Sequence, residues 1–240
     1  MADLVIDIGN SRMKVARFED AGTFELLNAE DLQFVRNEDI DHMIVSNVRS
    51  EVPEPINSWL TPDIETHWFS VDSDHGINIP SEAYTVGTDR LANLAGARAA
   101  FPEGPVMAID LGTCMTFSIL SGENEFIGGH ISPGYRSRLR AMHEFTGKLP
   151  EVSPEGPYSF PALSTTEAMR TGAWLGVVAE IDKVIETTDR KFNETVHTII
   201  TGGDLPFFED HLKNNIFADS FLTMKGLYAI LQRHRTHSAR

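Results

Sequence analysis

Residues 4–18 read Leu4-Val5-Ile6-Asp7-Ile8-Gly9-Asn10-Ser11-Arg12-Met13-Lys14-Val15-Ala16-Arg17-Phe18, and residues 106–120 read Val106-Met107-Ala108-Ile109-Asp110-Leu111-Gly112-Thr113-Cys114-Met115-Thr116-Phe117-Ser118-Ile119-Leu120. Each is an apolar run ending in Asp-x-Gly-polar, a tight turn, and a second apolar-patterned run. Strand, turn chemistry and return strand predict a β-hairpin in both places. Ile6-Asp7-Ile8-Gly9-Asn10 aligns with Ile109-Asp110-Leu111-Gly112-Thr113, nearly half the chain later. This is a weak internal duplication. It divides the chain into two similar lobes, residues 1–103 and 104–240, at the Phe101-Pro102-Glu103-Gly104-Pro105 segment.

Working outward, helical patterns fall between the strands. Leu91, Leu94, Ala95 and Ala99 keep one face apolar, with Thr88-Asp89 placed to cap the start. Ser164-Thr165-Thr166-Glu167 is a capping-box pattern that opens a long helix to about Glu186. Val196 to Thr201 reads as a strand broken by Gly202-Gly203. Strands interleaved with helices give an α/β class, and the hairpins make the sheets mixed. The segment from Pro150 through Pro154 and Pro157 to Pro161 reads as an irregular loop. Gly128-Gly129-His130-Ile131-Ser132-Pro133-Gly134 reads as another, and the basic tail from Arg233 to Arg240 as frayed.

Composition narrows the function. The 240 residues are 41% hydrophobic and 23% charged, which is ordinary globular usage. Net charge is −15, so the mean field repels phosphate backbones and excludes non-specific nucleic-acid binding. A single cysteine, Cys114, excludes an intramolecular disulfide framework and a cysteine zinc site. The 9 histidines show no zinc spacing. The start, Met1-Ala2-Asp3-Leu4, has no basic leader, and no apolar run approaches a bilayer crossing. A cytoplasmic protein with no membrane partner is expected.

Candidate chemistry sits on the turns. Gly9 lets backbone N–H groups approach a phosphate without a Cβ in the way. Asn10 and Ser11 add neutral hydrogen-bond groups, and Lys14 adds a point charge. Asp7, costly to bury unless used, suits a hydrated Mg2+. A plain hairpin favours the same turn residues; the second copy, Asp110 to Thr116, shifts the balance toward phosphate binding. Cys114 is expected to be a small packing residue beside that turn. Gly87-Thr88-Asp89-Arg90 could supply a proton acceptor and a guanidinium fork, although Asp in a first helical turn is favoured by the dipole alone. Thr165 has helix initiation as its local role. Thr201-Gly202-Gly203-Asp204 leaves room for a flat ring against the backbone.

In order along the chain, Asp-x-Gly-Asn-Ser-x-x-Lys, Ser46-Asn47-Val48, Gly-x-Asp-Arg at 87–90, Asp-x-Gly-Thr at 110–113, Gly-Gly-x-Ile-x-Pro-Gly at 128–134, Ser-Thr-x-x-Ala at 164–168 and Thr-Gly-Gly at 201–203 resemble type III pantothenate kinases. The resemblance implies an actin-like fold with two ribonuclease-H-like lobes. It implies transfer of phosphate from ATP to the terminal hydroxyl of pantothenate, with Mg2+ or another divalent metal and with K+ or NH4+. It implies a homodimer with the substrate site near the subunit interface. Carried over, Asp7, Gly9, Asn10, Ser11 and Lys14 form the first phosphate loop. Asp89 is the general base, and Gly87, Thr88 and Arg90 contact pantothenate. Asp110 sits at the monovalent cation, Thr113 touches the ATP phosphates, Thr165 contacts pantothenate from either subunit, and Gly202 and Gly203 lie near adenosine. Two positions depart from the family: Cys114 stands where Ala is common, and Pro80 stands where an aromatic residue is usual, with Ile79 adjacent and Tyr84 nearer the motif. Readings left open are another actin-like kinase, acting on a sugar, acetate or polyphosphate, and a non-catalytic regulator.

Overall fold

The computed structural model describes residues 2–9, 12–27, 40–49, 51, 56, 64–208, 211 and 216–238. Ten strands and four α-helices are defined among them. The helices are α1 (Thr88–Ala100), α2 (Tyr135–Glu144), α3 (Thr165–Phe192) and α4 (Leu222–Ser238). Two compact units result. One holds the described residues of Met1–Glu103, Leu120–Phe126 and Phe221–Arg240; the other holds Gly104–Ile119 and Ile127–Ser220.

The first unit is built on β1 (Ala2–Ile8), β2 (Met13–Phe18), β3 (Phe24–Leu27), β4 (Ile40–Asn47) and β5 (Glu65–Trp68), in the order β3-β2-β1-β4-β5. β1 pairs antiparallel with β2 and parallel with β4. β2 and β3 are antiparallel, β4 and β5 parallel. The central strand β1 is buried along its whole length. That is why it reads as an apolar run rather than an alternation. Leu4, Ile6, Ile8, Met43 and Val45 form its core.

The second unit repeats the plan. Its strands are β6 (Val106–Leu111), β7 (Cys114–Leu120), β8 (Phe126–Pro133), β9 (His197–Thr201) and β10 (Ile216–Ala218), in the order β8-β7-β6-β9-β10. Substituting β6 for β1, β7 for β2 and so on reproduces the first order. β9 runs parallel to β6 and β10 parallel to β9. In both units the strand ending in Asp-x-Gly is the central one, so the duplication visible in the sequence is also a duplication of topology. Ile109, Phe117, Trp174, Ile181 and Phe208 fill this second core.

Helix boundaries follow local chemistry. Ser164 caps α3, its Oγ accepting from Glu167 N at 3.2 Å. The helix continues past Glu186 to Phe192 and stops where Asn193 takes a left-handed conformation, φ 57°. α1 is not capped by Thr88 or Asp89: Gly87 is its N-cap, with no side-chain hydrogen bond.

Three further expectations need correction. Residues 128–133 belong to strand β8 rather than a loop, with Gly128 at φ 114° and Gly129 at φ 157°. The tail from Arg233 is helical through Ser238, because its polar side chains find partners. Gln232 Nε2 donates to Asp3 Oδ2 at 2.6 Å and Arg235 Nη1 to the same oxygen at 2.9 Å, while Arg233 Nε reaches Asp74 Oδ1 at 2.6 Å. Asp3 is buried, so these bonds also satisfy a carboxylate that would otherwise be costly there. Lastly, α4 does not stay with residues 104–220. It packs on α1, β1 and β4 of the first unit.

α1 and α4 approach at two glycines. A Cβ on Gly226 would stand 1.8 Å from Ala92 O, and one on Gly96 2.7 Å from Leu222 O. Backbone meets backbone there, and no side chain fits between.

The end of α4 also makes a pH-sensitive contact. The His67 and His234 rings lie 4.2 Å apart. Burial, then the neighbouring His234, pushes the His67 pKa below its ordinary 6.5, against a weaker opposing pull from Glu65. Burial lowers His75 as well. An imidazole depressed in the folded state leaves the unfolded chain binding more protons near pH 6.5. Stability is therefore held above that pH and falls as pH drops below it. His67→Phe keeps a ring against His234 and removes the titration. Urea midpoints measured from about pH 7.5 down to about pH 5.5 should decline less steeply in the variant, with His75 contributing to the remaining slope. Parallel declines would show that His67 does not contribute.

Candidate active site

In the first unit, functional candidates collect where β1 and β4 end. Asp7 is buried. Its strand neighbours are Lys14 on β2 and Ser46 on β4. The turn beyond is tight: Gly9 N donates to Arg12 O at 3.0 Å, and a Cβ on Gly9 would lie 3.2 Å from that oxygen. Asn10 and Ser11 fall outside the described residues. The exit of β4 is bonded onto the turn, with Val48 N donating to Ile8 O at 3.1 Å and Arg49 Nε to Gly9 O at 2.7 Å.

The start of α1 is brought to the same place. Thr88 Oγ1 and Ser46 Oγ share a hydrogen bond of 3.2 Å. Since Ser46 pairs with Asp7, this bond joins the Gly-x-Asp-Arg segment to the strand end that carries the first carboxylate. Asp89 Oδ1 accepts from Arg90 N at 2.8 Å. That bond folds the carboxylate back over residue 87, where a Cβ would stand 2.5 Å from Asp89 Oδ1. A Cβ at residue 87 would therefore push this carboxylate out of position, while the φ of −65° is open to any residue. Arg90 lies against Phe126, its Cζ 5.8 Å from the ring centroid. Burial draws the Arg90 pKa down and the Asp89 carboxylate opposes that, so the guanidinium remains a cation. Asp7, Gly9, Lys14 and residues 87–90 therefore gather at the carboxyl ends of parallel strands, where open α/β sheets place ligands.

The second unit builds a related end. Asp110 is paired in register with Thr201. Gly112 N donates to Cys114 O at 3.2 Å. Thr113 O accepts from Gly134 N at 3.0 Å and from Ser137 Oγ at 2.6 Å. Gly134, whose role was not legible in sequence, is packed so closely that a Cβ would meet Gly112 O at 2.0 Å. Gly202 has φ 108°, and a Cβ on it would lie 2.4 Å from Leu111 N. Asp204 N then donates to Leu111 O at 2.9 Å. Asp110, Thr113 and Gly202 are thus locked together, with Gly203 exposed beside them. Thr165 is different: it is the exposed first residue of α3, and the described hydrogen bonds do not connect it to the Asp110 loop. Cys114 is exposed rather than a packed residue, because the first position of β7 lies at the rim of the turn.

Among the described residues no group of three or more His, Cys, Asp or Glu could hold a metal. Asp7 and Asp110 lie at the ends of β1 and β6, neither in a cluster of three such groups. A carboxylate outside such a cluster does not make an all-protein cage. It fits a divalent cation that keeps its waters and takes its remaining ligands from phosphates. Among the described residues no helix is long and apolar enough to cross a membrane.

Two ribonuclease-H-like sheets, each ending its central strand in an Asp-x-Gly turn, place the chain in the actin-like class. Solved structures agree on the fold. A protein described as a Baf family transcriptional activator from Campylobacter jejuni superposes with TM-score 0.62 at 19% identity, covering 97% of this chain and 99% of its own. A protein assigned as an N-acetylmannosamine kinase from Listeria monocytogenes gives TM-score 0.52 at 13% identity, covering 97% and 99%. Within that class, the chain belongs to the type III pantothenate kinase family. The family's profile matches residues 3–187. A type III pantothenate kinase of Bacteroides fragilis (strain YCH46) is 35% identical over 95% of this chain and 97% of its own length.

Proposed function

We propose that this chain phosphorylates the terminal hydroxyl of pantothenate with ATP, giving 4'-phosphopantothenate for coenzyme A biosynthesis. The observation that carries the reading is the Ser46–Thr88 hydrogen bond. It ties Asp89, the proton acceptor, to the strand end that bears Asp7 and the first phosphate turn.

The roles follow from chemistry. Phosphoryl transfer has a loose transition state, so positioning and charge neutralisation dominate. Gly9, with Asn10 and Ser11, presents backbone and side-chain donors to phosphate, and Lys14 supplies positive charge. Asp89 takes the hydroxyl proton, with Oδ1 fixed by Arg90 N. Arg90, with Gly87 and Thr88 beside it, binds pantothenate, whose carboxylate suits a guanidinium fork. In the second unit, Thr113 contacts ATP phosphates and Gly202 and Gly203 leave flat backbone for adenosine. A bound divalent cation such as Mg2+ would neutralise phosphate charge, and in the first unit Asp7 is the residue fit to hold it through water. In the second unit Asp110 is the residue for K+ or NH4+.

A homodimer is supported by α3. Ala168, Gly172, Leu175 and Ala179 are exposed along one helical stripe, and Leu163 and Phe160 beside its start are 99% and 84% exposed. A second copy covering that face would meet Thr165, consistent with a pantothenate contact made across subunits. The working compartment is the cytoplasm.

A coupled assay of ADP release from ATP and pantothenate, with and without K+, tests the reading. Turnover that requires pantothenate and rises with K+ is expected. Turnover with a sugar, acetate or polyphosphate in place of pantothenate would reassign the substrate.

A further inference from the structure

The residue that carries a further inference is Arg49, which belongs to none of the motifs above. It lies two residues beyond the end of β4, and its own N–H is fixed by Asn47 Oδ1 at 2.8 Å. Its Nε donates to Gly9 O at 2.7 Å. Together with the Val48 N to Ile8 O bond of 3.1 Å, this clamps the first phosphate turn from outside. The side chain is exposed, and among the described residues no carboxylate pairs with it.

Charge explains why such a clamp matters. Lys14 is the cation of the turn, and its strand neighbour is the carboxylate of Asp7. Their formal charges sum to zero. A polyphosphate approaching a chain of net charge −15 therefore needs a further local cation. A guanidinium with one N–H spent on a carbonyl keeps four more, and its planar edge matches two phosphate oxygens. Arg12, the other arginine of the turn, enters the described contacts only through its backbone carbonyl. We propose that Arg49 is a second cation of the phosphate turn, its Nε holding Gly9 in place and its Nη groups binding phosphate oxygens of the nucleotide. This rests on the reading of the Gly9 turn as the ATP phosphate loop.

The test uses the full-length chain and two variants, Arg49→Met and Arg49→Lys. Dissociation constants for ATP are measured by calorimetry and for AMP by competition, beside KM for pantothenate and the melting temperature. In Arg49→Met, ATP should bind about tenfold more weakly, the scale of one lost charge-assisted contact. AMP affinity and pantothenate KM should stay within about twofold, a change too small to represent a lost contact. Arg49→Lys should recover part of the ATP affinity, because the charge returns without the fork. Raising salt should weaken ATP binding to the unaltered chain more than to Arg49→Met.

Unchanged ATP affinity in Arg49→Met overturns the proposal. So does equal weakening of ATP and AMP with a lowered melting temperature, which would make Arg49 a structural tie alone. If the unaltered chain binds ATP through Arg49 but does not phosphorylate pantothenate, the acceptor assignment fails and Arg49 stands. If it binds no ATP, both fail.

Discussion

Asp89→Asn should reduce kcat by about two to four orders of magnitude, the range for loss of a positioned general base, while ATP affinity is retained. The substitution isolates the chemistry because it preserves the shape. Asparagine keeps an oxygen at Oδ1 to accept from Arg90 N, and it leaves undisturbed the clearance that Gly87 provides. What it removes is the capacity to take a proton and a negative charge beside Arg90. Carboxylates are weak bases, but in a loose transition state the hydroxyl proton leaves late, and a weak acceptor in the right place suffices. Steady-state kcat beside a calorimetric ATP dissociation constant separates the effects. Turnover like that of the unaltered chain would remove Asp89 from the mechanism. Lost ATP binding would mean that the residue holds the nucleotide instead.

The second large effect is structural and arises on α4, the helix packed against α1. Gly226→Ala should destabilise the fold by about 3 kcal/mol, the upper part of the usual range for overpacking a tight site. The new methyl group would stand 1.8 Å from Ala92 O, 2.7 Å from Ala92 C and 2.9 Å from Gly96 N. Those atoms are backbone, so no rotamer change relieves the clash and the two helices must separate. α1 carries Asp89 at its first turn, so part of the loss should also appear in kcat. Chemical denaturation measures the first and steady-state kinetics the second. A variant as stable as the parent would mean that α1 and α4 can slide apart without cost, and that the glycine pair is incidental.

Some of this was legible from sequence because the signals were local. A lone Asp in an apolar strand, followed by glycine and a polar residue, marks a strand end that must be used, and Asp7 and Asp110 each carry that mark. The capping box at Ser164 announces its helix because the bond it makes, to Glu167 N, spans three residues. What stayed hidden depends on distant partners. The Arg233–Arg240 segment reads as loose charge until Asp3 and Asp74 are placed beside it. β8 reads as a loop because glycine writes no alternation of apolar and polar side chains. Gly87 looks like flexibility, and its reason is the carboxylate folded above it. The Ser46–Thr88 bond and the Arg49 clamp join segments that no periodicity connects. Arg49 did leave one trace, a basic residue two positions beyond a strand end.

Helix α4 has a consequence for synthesis. The ribosome releases β1, β4 and α1 early, yet the surface they offer to α4 waits until nearly the whole chain has emerged. Through that interval the nascent first unit shows the apolar face destined for Leu227, Ile230 and Leu231, which are buried in the finished protein. The second unit, contiguous apart from its brief β7–β8 excursion, is complete at Ser220, before α4 emerges. Completion therefore runs against the order of translation, and the amino-terminal half is the part most in need of chaperone cover while the chain is still being made.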